Sequence, residues 1–191
     1  MVQAHSLVTC GKKMARDQDP KLIIYSLMGV CLLHVQLAER VLAGAVESVL
    51  DDRKLTVARF MEQTERERKR TLGDFLKELR SRTKVEPKFN QKLWRFFRMR
   101  NAFVHDFSEI PGWDLSTERG REIAIEYLVE LIALALNVTG VFLSLFTVSA
   151  REDFGEELVE GNLLMDKIEK LFAPTARKIL AGRNRRPERS P

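Results

Sequence analysis

Residues 95–107 read RFFRMRNAFVHDF. Counted at 100 degrees per residue from Phe89, the side chains of Leu93, Phe96, Phe97, Met99, Phe103, Val104 and Phe107 gather in one arc, the mark of an amphipathic helix. Arg100 falls at about 20 degrees, inside that arc. Trp94, Asn101 and His105 fall on its border, at about 120 to 160 degrees. Asn101 and His105 stand four apart and are neighbours on the helix surface, and the long stem of Arg100 reaches the same region. Arginine cannot shed its charge by deprotonation. On a buried side it must meet an acid or open onto water and anions.

The pattern around this helix is also helical. Pro20 opens a segment from about Lys21 to Leu50 whose centre, LIIYSLMGVCLLHVQLAERVL, is apolar over most of its circumference and is expected to be buried. Asp51 to Arg70 continue as charged helix or linker, with EQTERERKR read as a solvated face. Thr71, with Asp74 three residues later, is a capping pair that starts TLGDFLKELRSR. Pro87 fits the first turn of the helix that ends near Phe107. SEIPGWDLST is a loop turning at Pro111–Gly112, and Ser116 or Thr117 caps a long helix to about Val148. A last helix runs from about Glu156 to Leu180, interrupted or bent at Pro174. The expected fold is all-α: a four- or five-helix bundle over 20–180, after a mobile leader over 1–19 and before a basic, disordered tail over 181–191.

At 191 residues with 45% hydrophobic content, the chain can bury a sizeable core. Cys10 and Cys31 have no CxxC spacing and the three histidines are scattered, so neither a metal site nor a disulfide framework is expected. No phosphate-binding glycine loop, dinucleotide fingerprint or GxSxG elbow occurs, and no cofactor is expected. Met1 to Cys10 is too short and too weakly apolar for a secretory core. Leu131 to Ala150 is uncharged, and a membrane span competes there with a buried central helix. Asn137, Thr139, Gly140, Ser144, Thr147 and Ser149 interrupt it, and the reading adopted is a central helix of a cytoplasmic protein that does not cross a membrane.

Charge is segregated. Arg53 to Arg100 holds sixteen Lys and Arg against six acids, whereas Asn101 to Ala176 holds five against fourteen. The basic half can attract phosphates, or can pair with the acidic half of the same or a second subunit. Lys92, Arg95 and Arg98 lie beside Arg100 on this half.

The spacing R-N-x-x-x-H at Arg100, Asn101 and His105, late in an all-helical domain, resembles the HEPN superfamily (higher eukaryotes and prokaryotes nucleotide-binding). Its signature is an arginine, often followed by a polar residue, then a histidine after four to six positions. The likeness in helix order spans roughly residues 21–180. The resemblance implies a metal-independent endoribonuclease, of the toxin or defence kind, with its motif at a homodimer interface. Arg100, Asn101 and His105 would be catalytic, Lys92, Trp94, Arg95 and Arg98 would contact RNA, and products would carry 2′,3′-cyclic phosphates. Trp94 and Trp113 would be base-stacking candidates, with core packing the favoured reading for either. Histidine suits the proton transfers, one motif carries one histidine, and a two-fold dimer brings two. Such a dimer would also cover a large aromatic face exposed on the Arg95–Phe107 helix. The alternative within the same resemblance is a non-catalytic helical module that binds a nucleotide or a protein partner, such as a nucleotidyltransferase antitoxin or a regulator.

Overall fold

A computed structural model describes residues 19–48, 72–154 and 163–182. The expected leader, the Asp51–Arg70 run, the start of the last helix and most of the tail lie outside those residues. Among the described residues there are five α-helices and no strand. They are α1 (Pro20–Ser48), α2 (Leu72–Arg82), α3 (Pro87–His105), α4 (Glu118–Phe154) and α5 (Leu163–Ala181), with a single 3-10 turn at Phe107–Glu109. The protein is an all-α helical bundle, as the periodicity indicates.

α4 is the axis of the bundle. It packs against α1 along one side, α5 along another and α3 on a third, while α2 packs on α1. Leu128, Leu131, Ala135, Val138, Phe142 and Leu145 are fully buried along it. This is the helix that contains the uncharged 131–150 stretch. Two of its polar interruptions bond to backbone: Ser144 Oγ donates to the Ile168 carbonyl of α5 at 3.3 Å, and Thr147 Oγ1 to the Leu143 carbonyl at 3.1 Å. At Gly140 the ring of Phe172 lies where a Cβ would project, so the glycine lets α5 approach α4 closely.

Helix ends follow the local chemistry. Pro87 occupies the first turn of α3, where a missing N–H is harmless. Thr117 caps α4, its Oγ1 accepting from the Gly120 N–H at 3.0 Å. Asp114 Oδ1 accepts from the Ser116 N–H at 2.9 Å and the Ser116 hydroxyl at 2.6 Å, and these bonds hold the Asp114 carboxyl below its ordinary pKa. Gly112 turns with φ +76, the left-handed value that glycine adopts without strain.

Two expectations change. The aromatic face of α3 is not presented outward: Phe89, Leu93, Phe96, Phe97 and Phe103 are buried in the chain's own core, where the Phe89 and Phe142 ring centroids are 6.0 Å apart. Among the described residues, α1 has more exposed large apolar side chains than any other helix. There Leu22, Tyr25, Val30, Leu33 and Leu37 are exposed, Leu33 by 67%. α1 and α4 are both long and apolar enough to cross a membrane, with α4 mostly buried inside the bundle and α1 mostly not.

Candidate functional site

Arg100 has both of the surroundings that its position in the arc allows. Its Nε donates to Glu39 Oε1 on α1, a half-buried ion pair that ties α3 to α1. Its Nη1 donates to Asn101 Oδ1 at 3.0 Å and stands 3.0 Å from His105 Nε2. Guanidinium groups only donate, so the last contact requires His105 to accept at Nε2 and to carry its ring proton on Nδ1. One arginine thus gathers a carboxylate, an amide and an imidazole. Its Nη2 takes no hydrogen-bond partner among the described residues.

The backbone beneath this cluster is held from the other side. Tyr127 on α4 donates its hydroxyl to the Met99 carbonyl at 2.5 Å, one residue before Arg100. Burial, reinforced by Cys31 and Glu130, pushes the Tyr127 phenol up to about 12, so it remains a donor across the physiological range. From the C-terminal end of α3, rings run in series through Phe103, Phe107, Trp113 and Tyr127, with successive centroids 5.3 to 5.8 Å apart. Trp113 therefore belongs to the packed side. Helix α3 ends at His105, and Asp106 follows in extended conformation, leaving the imidazole exposed at the helix end.

Arg100, Asn101 and His105 line a cleft of about 650 Å³ between α2 and α3. Trp94 forms part of its wall together with Lys77 and Arg80 of α2. Trp94 is 47% exposed, so the core-packing reading does not hold for it. A second cleft of about 800 Å³ opens on the other side of Trp94, along Lys92, Arg95, Arg98 and Tyr127. The four residues expected to contact RNA therefore share one groove, and Trp94 alone reaches both. They differ in availability. Arg95 is tied to Glu130 at 2.6 and 2.8 Å, whereas Lys92 and Arg98 have no ion-pair partner among the described residues.

The sequence reading missed Glu39, Lys77, Arg80 and Tyr127. Glu39 carried a signal, being a lone acid in the apolar centre of α1, but nothing in the sequence joined it to Arg100. Burial pushes the Cys31 thiol up to about 12 and makes it a poor nucleophile. No three His, Cys, Asp or Glu side chains converge as a metal site among the described residues.

No family model matches the chain, and neither a curated protein nor a solved structure is found to be similar to it. Fold and site together define a helical bundle with an Arg–Asn–His cluster in a basic cleft walled by tryptophan.

Proposed function

We propose that the chain is a metal-independent endoribonuclease of the HEPN kind, cytoplasmic, acting as a homodimer in a toxin or defence role. The observation that carries this reading is the Arg100 guanidinium in the α2–α3 cleft, which holds Asn101 and His105 at 3.0 Å each and whose Nη2 takes no hydrogen-bond partner among the described residues. A phosphate that takes the Arg100 N–H groups would release His105 Nε2 to accept the proton of the adjacent 2′-hydroxyl. The 2′-oxygen then attacks phosphorus, the bond to the 5′-oxygen breaks, and a 2′,3′-cyclic phosphate forms. Arg100 would stabilise the charge developing on the phosphate oxygens. The leaving 5′-oxygen needs an acid, a role that His105 of a second copy would fill.

The competing reading is a non-catalytic module that binds a nucleotide or a protein partner. The Glu39 pair favours it, since it satisfies Arg100 without any substrate. Incubating purified protein with mixed RNA in EDTA separates the two. Cleavage with cyclic-phosphate ends supports the nuclease, and intact RNA at high enzyme concentration leaves the binding module.

A further inference from the structure

We infer that the cleft between α2 and α3 is a nucleotide subsite in which Trp94 and Arg80 form a stacking platform for one base. It rests on the reading that the Arg100–His105 cluster handles a phosphate. Three observations carry it. First, Arg80 lies over the Trp94 ring with its guanidinium carbon 4.6 Å from the centroid, while its Nη2 donates to Asn90 Oδ1 at 3.2 Å. Both groups are flat and are fixed in place by each other, and flat cationic and aromatic groups are what unpaired bases stack on. Secondly, both belong to the wall of the cleft that holds Arg100 and His105, whose volume of about 650 Å³ lies in the range of small-ligand sites. Thirdly, charge is graded along the cleft. Lys77 and Arg80 stand on the α2 side, whereas Asp106 and Glu109 lie at the His105 end.

The gradient gives the ligand a direction. A phosphate at Arg100 faces acids beyond His105, so a polyanionic strand leaves the cleft past Lys77, Arg80 and Trp94. From Trp94 it continues into the second cleft toward Lys92 and Arg98. Neither Lys77 nor Arg80 has an ion-pair partner among the described residues, so their charges are available to that strand. Arg80 is thereby a binding residue supplied by α2, and its stack with Trp94 is a prepared site in addition to a staple between helices.

The test uses the two-tryptophan composition of the chain. In a Trp113→Phe background, Trp94 is the sole tryptophan, and its emission is titrated with a 2′-O-methyl hexanucleotide and with an abasic ribose-phosphate oligomer of the same length. Saturable quenching by the first, at least fivefold tighter than by the second, is expected. In the full chain, Trp94→Ala and Arg80→Gln should each raise KM for RNA roughly 5- to 100-fold with a smaller change in kcat, and Trp94→Phe should restore most of the loss. Equal affinity for the two oligomers, or unchanged KM in both variants of a wild type that does cut RNA, overturns the subsite and leaves the nuclease standing. Saturable base-dependent quenching by a wild type that cuts no RNA upholds the subsite and removes the nuclease. A chain that neither cuts RNA nor responds to the hexanucleotide overturns both.

Discussion

At the scale of single residues, the cluster turns on the double use of Arg100. His105 lies exposed at the end of α3, so His105→Ala should leave helical content and melting temperature close to wild type. If the chain is a nuclease, that change should lower the cleavage rate by on the order of 100- to 10,000-fold, read by gel assay of RNA products. Arg100→Ala should be as damaging, and Asn101→Ala milder, because Asn101 accepts only one of the Arg100 bonds. Equal cleavage by His105→Ala and wild type would remove histidine from the chemistry. Glu39 gives a sharper test of arrangement. Glu39→Gln keeps an acceptor for Arg100 but takes away the charge, and misplacing the guanidinium should cost on the order of 10- to 100-fold in kcat with little change in KM. Glu39→Ala should in addition destabilise the fold by about 1–2 kcal/mol, since it strands a half-buried cation. A Glu39→Gln enzyme with wild-type kcat would reduce the pair to a packing role. Helical periodicity placed Arg100, Asn101 and His105 together because they share one helix. It could not supply Glu39, 61 residues away, since that pairing exists only once α1 and α3 are packed.

At the scale of elements, the fold was legible wherever the chain is punctuated. Pro20, Pro87 and Thr117 mark helix starts in the sequence and in the structure. The far end of α4 was less legible: the apolar run stops near Val148, but the helix continues to Phe154, ahead of Gly155, the next residue that disfavours helix. Periodicity also could not say which partner an apolar face meets. The aromatic face of α3 was read as outward and is buried, while α1, read as buried, leaves much of its surface open. α1 is the more apolar of the two, so composition points the wrong way, and the packing order around α4 decides between them. The α4–α5 contact allows a direct check. Gly140→Ala would gain helix propensity in isolation, yet its Cβ would overlap the Phe172 ring. Overpacking should win, with a loss of about 1–3 kcal/mol in the urea unfolding free energy. Adding Phe172→Leu should recover part of it, because the two changes share one contact. A Gly140→Ala protein as stable as wild type would mean that α5 can slide away from α4 at no cost.

At the scale of the whole molecule, the open face of α1 calls for a partner. Ile23, Val30 and Leu37 recur every seven residues, with Leu33 between the last two, and each is at least 44% exposed. That spacing is the seam a second helix packs against, and water is a poor partner for it. Counted at 100 degrees per residue, Glu39 stands about 120 to 180 degrees around α1 from these four, so the seam and the Arg100 cluster lie on different faces of the helix. The expected state is a homodimer that comes apart when the seam is charged. Leu33→Glu is the informative change, because at 67% exposure its replacement should barely disturb the monomer fold. Sedimentation equilibrium at micromolar concentration should show a dimer for wild type and a monomer for Leu33→Glu, with matching circular dichroism spectra. A fall in RNA cleavage with the dimer would assign this contact to the nuclease, whereas nucleotide-dependent quenching of Trp94, which needs one α2–α3 cleft, should persist in the monomer. A monomeric wild type that cleaves RNA would refute the shared site. Recovery of untagged wild type only from detergent-extracted membranes would assign the α1 face to lipid instead of to a second copy.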